Sequence, residues 1–436
     1  MPFFSQINNE ELRVLNTQER QLIALVAWAG FFTCFNFIVY FFFYDAIINA
    51  FFPKDLDSNL KNLGFLGLLV VGYISRPLGG LILADIADRF GRKKVMLYSL
   101  FTMTFSTLII GLMPTYEMIG IWAIGLFLLV RLLQGIGIGS EVPISWVYIM
   151  EQVPRWQTGL ASGLMIAMLV ASALLASVSS VVLSEVLTLE QMQNFGWRIP
   201  FILGSVGSLV TIFLSYRLTE TPLWLVAKNN DELLPKLPVL KVLKKYRYGL
   251  MITFVLSWFS ASIYLIVFLL LPSLAVEYFD ASTSEIMIAN GLAILFASIG
   301  AVMFGYLSDR FNSGKVFGIG CMLLTVTSVL FFYHLAQMGD FILLYYVIFG
   351  FFVGVIGVVP SLCVGLFPTK VRCSGTALAY NLAYAGTGVL TPILLTFMVT
   401  KLSLAPALYV VFLCIGGVIV SILLANLHGL YRLEKK

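Results

Sequence analysis

The chain has 436 residues, of which 60% are hydrophobic and 11% charged, and its mean hydropathy is +0.95. Soluble domains run at about 45–50% apolar and about 25% charged, so these values exclude a soluble protein, with or without a single anchor, and predict a polytopic membrane protein. The net charge of +5 is read as membrane orientation and not as a nucleic-acid surface.

Residues 1–20 carry mixed charge (Glu10, Glu11, Arg13, Glu19, Arg20) before a long apolar run. A cleavable signal has an apolar core of only about 7–15 residues, so this run is expected to stay as the first span. Apolar runs of spanning length predict twelve helices, at about 20–50, 63–84, 95–113, 118–150, 158–183, 198–217, 248–272, 286–308, 316–336, 342–366, 374–400 and 405–427. Pro143, Pro272, Pro360 and Pro392 fall inside these runs or at their ends. Proline there bends the helix and frees a backbone carbonyl.

With the N-terminus placed inside, twenty Lys and Arg fall in inside segments, against Lys54, Lys61 and Lys401 outside. That bias predicts both termini in the cytoplasm. The longest polar stretch, 218–247, divides the chain into a first six-helix half, 1–217, and a second, 248–436.

In chain order, span one carries Thr33, Asn36, Tyr40 and Tyr44 on one helical face. Asn36 and Tyr40 are candidates for contact with a polar solute. Asp45, nine residues beyond Asn36, is a candidate proton site if buried. Span two ends in DIADRFGRKK, Asp85 to Lys94, six charges in ten residues. The basic residues hold this loop inside, but orientation alone needs no acids. Asp85, Asp88, Arg89 and Arg92 suit a latch that forms and breaks between helices; Gly80 permits close helix approach and Gly91 a turn. An echo, GYLSDRFNSGK, returns at Gly305 with Asp309 and Arg310. It follows the eighth span as the first loop follows the second, the mark of a duplicated half, which places a binding site near mid-membrane between the halves. In the echo Asn312-Ser313 stands where Gly-Arg would be, so a weaker second latch is expected.

Span four carries Arg131, Gln134 and Glu141 within about 80° of one another around the helix. Arg131 and Glu141 are about 15 Å apart along the axis and need separate partners. A charge inside a span points to function: Arg131 to a substrate carboxylate, Glu141 to proton coupling, with fixed polar networks as the structural alternative for both. In the second half Tyr264, Asn290, Tyr380, Asn381 and Tyr384 offer donors and acceptors without fixed charge, and packing is the alternative for each. The five cysteines are scattered, His334 and His428 are far apart, and no GxxxxGK[ST] occurs. No metal, cofactor, disulfide framework or nucleotide site is expected, and no cluster suits a membrane enzyme. A channel would need charged rings; a transporter-like receptor or sensor would normally add a soluble domain.

Taken together, Gly80–Lys94, RLLQGIGIGSE from Arg131, WRIPFILG from Trp197, the ETP of Glu220–Pro222 and LFPTKVRCSGTALAYN from Leu366 resemble the major facilitator superfamily. They resemble most its metabolite:proton symporter branch, which carries proline and betaine, 2-oxoglutarate, citrate or shikimate. The resemblance implies an all-α fold of twelve spans in two pseudo-symmetric halves. It further implies alternating access, gating by the charged loop, and proton-coupled uptake of a small carboxylate or zwitterion across the inner or plasma membrane by a monomer. One departure bears on coupling. The branch usually has Glu-Trp-Tyr-Asp in span one, and this chain has Thr33-Cys34-Phe35-Asn36. An uncoupled facilitator or exchanger is therefore the alternative.

Overall fold

The computed structural model of the protein describes residues 15–53, 55–233, 238–279, 282–337, 341–402 and 404–433. Among them all regular structure is helical. Of the charges used for orientation, Arg13, Lys54, Lys236, Lys435 and Lys436 lie outside these residues.

Twelve helices are long and apolar enough to span a membrane: Thr17–Phe42, Leu63–Phe90, Arg92–Leu112, Ile121–Gln152, Arg155–Val186, Arg198–Ser215, Arg247–Phe279, Ser284–Arg310, Ser313–Ala336, Ile342–Gly365, Thr369–Val399 and Ala405–Ala425. We number them span one to span twelve. Span one starts with a capping box: Asn16 Oδ1 accepts from the Glu19 backbone and the Glu19 carboxylate accepts from the Asn16 backbone. It is shorter than the sequence predicts. The helix breaks at Phe43, and Tyr44–Phe51 form a separate short helix. The stretch between the halves also has structure, in two short helices, Pro222–Asn229 and Pro238–Lys245. Each begins with proline, whose missing N–H costs nothing at a helix start.

Spans one to six pack among themselves, as do spans seven to twelve. The two groups meet chiefly where span two crosses span eleven and span five crosses span eight. We call the end bearing the Asp85–Lys94 and Asp309–Lys315 turns the loop face, and the other the far face. Gly91 makes the first turn, with φ +113°, a region L side chains rarely adopt.

Carbonyls freed by two of the prolines explain two amides. Pro143 cannot donate to Gly139, and the Gly139 carbonyl accepts instead from Asn381 Nδ2 of span eleven at 2.5 Å. Pro272 likewise leaves the Phe268 carbonyl, which accepts from Asn290 Nδ2 at 3.3 Å. Just before it, Leu265–Leu270 widen into a π-helical stretch. In span ten Gly354–Val358 tighten to a 3-10 helix, and the Gly357 carbonyl accepts from Ser162 Oγ of span five at 2.6 Å.

Candidate solute site and loop-face latch

Between the halves lies a cavity of about 30 Å³ lined by Cys34, Phe37, Tyr73, Arg76, Tyr264, Tyr380, Tyr384 and Thr387 with apolar neighbours. Ligand pockets usually hold about 300–1,000 Å³, so this one is contracted. Its charged member is Arg76 of span two, 2% exposed. Arg76 Nη2 donates to the Tyr380 hydroxyl at 2.9 Å. The guanidinium lies 4.3 Å over the Tyr384 ring and between 5.3 and 5.7 Å from the Tyr380, Tyr73 and Phe37 rings. Arg76 Nε has no partner. No carboxylate lines this cavity.

The cation that lines this cavity is Arg76 and not Arg131. Arg131 is fully buried within the first half. It donates to the Leu68 and Phe37 carbonyls, both at 3.3 Å, and to Gln134 Oε1 at 2.8 Å. Its guanidinium sits 4.8 Å from the Phe37 ring and 4.7 Å from the Tyr40 ring. Gln134 continues the network to the Asn36 carbonyl and to Thr107. The shared helical face read from the sequence is real, but at Arg131 it packs on spans one and two. The sequence signal for Arg76 was a lone cation inside the apolar run of the second span.

Glu141 is also fully buried. Its Oε1 accepts from Ser145 at 2.8 Å, its Oε2 has no partner, and Thr33 faces it from span one. Among the described residues it makes no ion pair. Its helix neighbours Ile138 and Val142 line the cavity, so the carboxyl lies directly behind the wall.

The other predicted residues divide. Tyr264, Tyr380 and Tyr384 line the cavity, and the Tyr264 hydroxyl reaches across the halves to within 3.8 Å of Cys34 Sγ. Asn36 instead donates to Ser208 of span six at 2.8 Å. Tyr40 donates to the Phe65 carbonyl and stacks on the Phe65 ring. Asn290 takes the carbonyl freed by Pro272, and its Oδ1 accepts from Tyr346. Asn381 joins the halves through the Gly139 carbonyl, and a Cβ on Gly80 would meet its side chain at 2.3 Å. Asp45 is exposed at the far-face end of span one. Of the residues expected to contact a solute, Asn36, Tyr40, Arg131, Gln134, Asn290 and Asn381 bond to neighbouring helices and are not among those lining the cavity, and Asp45 is exposed.

At the loop face the halves are closed. The Asp88 carboxylate accepts from the backbone N–H groups of Cys373 and Ser374 at 3.0 and 2.9 Å, capping span eleven from the other half. Asp309 does the same for span five, accepting from Gly159 and Leu160 at 2.6 and 2.7 Å. Negative charge at a helix start is favoured by the exposed N–H groups and the helix dipole. Around Asp88 the sequence reading missed a buried ion network. Glu151 bonds Arg92 at 3.2 Å and Arg372 of the second half at 2.7 Å, and Arg92 lies 3.5 Å from Asp88. Glu220 accepts from the Arg92 and Lys93 backbone, capping span three, and Trp224 Nε1 donates to the Asp88 carbonyl. Among the described residues Asp85 pairs only with Arg89, on its own helix, at 3.2 Å.

Comparison with known proteins agrees with this architecture. The Major Facilitator Superfamily profile matches residues 26–278 and again 259–435. A putative proline/betaine transporter of Staphylococcus aureus (strain MSSA476) is 33% identical over 396 residues, covering 88% of this chain and 84% of that protein. The proline/betaine transporter of Escherichia coli (strain K12) is 27% identical over 412 residues, covering 89% and 80%. Among solved structures, the proton:xylose symporter XylE bound to 6-bromo-6-deoxy-D-glucose superposes with a TM-score of 0.78 at 15% identity, covering 94% of this chain and 95% of that one. At that identity the likeness speaks to the fold.

Proposed function

The chain belongs to the Major Facilitator Superfamily, and on that premise we propose that it takes up a small zwitterion of the betaine or proline kind by proton-coupled alternating access. The observation that carries this reading is Arg76, a buried cation in an aromatic cavity with no acid. A substrate carboxylate replaces Tyr380 as the partner of Arg76 in a charge-assisted, bidentate pair. The substrate's positive end then meets the faces of Tyr73, Tyr264, Tyr384 and Phe37. Aromatic faces suit an alkylated ammonium, whereas a primary ammonium needs hydrogen-bond acceptors. A second carboxylate would find no second cation among the lining residues, which disfavours citrate and 2-oxoglutarate. The relatives named for proline and betaine point the same way.

Glu141 is the proposed proton site. A carboxyl buried without a cation is costly when charged, so it exchanges a proton as access to the cavity changes. The twenty-to-three bias of Lys and Arg puts the loop face in the cytoplasm. The closed latch is then the state sealed from the cytoplasm, and release requires Asp88 and Asp309 to leave the helix ends they cap.

The test is solute-driven acidification of proteoliposomes holding a pH dye at clamped voltage, with tracer uptake in parallel. Betaine or proline should acidify the lumen; citrate, 2-oxoglutarate and shikimate should not. Arg76→Gln should abolish betaine binding while Arg131→Gln loses stability before affinity. Glu141→Gln should keep solute exchange and lose acidification. Betaine affinity unchanged in Arg76→Gln would remove Arg76 from the site. Uptake without acidification in the unaltered chain would make it a facilitator or exchanger.

A further inference from the structure

The two latches differ in how the arginine after the capping acid is treated. In the first, Arg89 pairs at 3.2 Å with Asp85, four residues earlier. In the second, the residue four before Arg310 is Tyr306, and the Arg310 guanidinium lies 4.6 Å over its ring. A phenol ring supplies no negative charge. Asp309, beside Arg310, is committed to the start of span five. Among the described residues Arg310 makes no ion pair, and it is exposed at the loop-face end of span eight.

Ile299, Met303, Tyr306 and Arg310 follow at steps of four, three and four, which places them on one helical stripe. With Val302 and Leu160 of span five, the first three line an open groove of about 460 Å³ whose walls are apolar save the tyrosine hydroxyl. From Ile299 to Arg310 the stripe runs about 16 Å at about 1.5 Å per residue. That is about half of the ~30 Å hydrocarbon core, the depth of one leaflet. The groove lies along the outer side of a spanning helix, so its occupant comes from the bilayer. It also straddles the seam between the halves: Leu160 adjoins Gly159, and a Cβ on Gly305 would sit 2.4 Å from the Gly159 carbonyl.

We propose that this groove holds an acyl chain of an anionic phospholipid from the loop-face leaflet, with the lipid phosphate on Arg310. The lipid contacts span five and span eight together only while the halves are closed there. It therefore favours the closed state by mass action, as any ligand does that binds one of two states better. Arg89, whose charge Asp85 already offsets, has no such role.

The experiment uses the full chain in sealed liposomes of phosphatidylcholine with a rising fraction of phosphatidylglycerol, oriented with the loop face outward. Two readouts serve: thermal stability, and the rate at which an impermeant maleimide at the loop face alkylates Cys34 when the other cysteines are replaced. Phosphatidylglycerol should raise the melting temperature and slow alkylation by at least about threefold. Arg310→Gln should lose most of that response, Met303→Trp, which fills the groove, should lose it too, and Arg89→Gln should keep it. No response in the unaltered chain, an equal response in Arg310→Gln, or a response surviving Met303→Trp each overturns the proposal. So does an equal loss in Arg89→Gln, which would mean general surface charge. Inorganic phosphate or a soluble short-chain phosphatidylglycerol acting as well as the bilayer lipid would also overturn it, because the acyl chain would then be unnecessary.

Discussion

Asp88 and Asp309 occupy matching places in the two halves, and each caps a helix of the opposite half with both carboxylate oxygens. Their surroundings are not matched. Asp88 belongs to a buried network in which Glu151 holds Arg92 and Arg372; Asp309 has its cap, and among the described residues the arginine beside it makes no ion pair. The two halves thus share the contact that recognises a helix start, which needs one acid and a backbone, whereas among the described residues buried ion pairs surround the first copy. A buried ion network is fragile to partial removal, because each lost partner strands a charge in a low-dielectric place. Closure should therefore depend more steeply on the first latch than on the second.

Substitutions can break that asymmetry in order of size, all read by Cys34 alkylation from the loop face. Glu151→Gln removes the carboxylate that the buried Arg92 and Arg372 share and should cost the closed state about 3–5 kcal/mol, opening the cavity to reagent by more than about a hundredfold. If the rate stays put, the network does not hold the gate. Asp88→Asn should cost about 3 kcal/mol, losing a charged cap and the balance for Arg92, and should slow turnover while sparing solute binding. Asp309→Asn should cost about half as much, about 1.5 kcal/mol, from the cap alone. Equal effects at the two positions would mean the ion pairs add nothing. Asn381→Ala leaves the Gly139 carbonyl without its partner and should cost about 1 kcal/mol. Asp85→Asn breaks one pair confined to its own helix, with side chains 31% and 12% exposed, and should change closure by less than about 0.5 kcal/mol because the pair does not cross between the halves.

Much of the fold was legible because spanning length and apolarity are local properties. The twelve spans, the duplicated charged turn and the prolines all follow from runs of residue type. Asp88 and Asp309 were legible as latch residues because acids have no orienting task in a basic loop. The roles of Asn290 and Asn381 were not. Polar side chains at membrane depth suggest a solute, and nothing local says that a proline on another helix has freed a carbonyl for each of them. Glu151 was missed for a related reason: its partners Arg92 and Arg372 stand 59 and 221 residues away in the chain.

The choice between two arginines separates what each level decides. The sequence by itself required that any cation in a span be enclosed and satisfied, because lipid offers it no hydrogen bonds, and it supplied Arg76 and Arg131 as the cases. Which of them meets the cavity was decided by the rotation of spans two and four against span one. That rotation turns Arg131 onto carbonyls and ring faces inside one half. It turns Arg76 to the seam, where its hydroxyl partner, Tyr380, belongs to the other half.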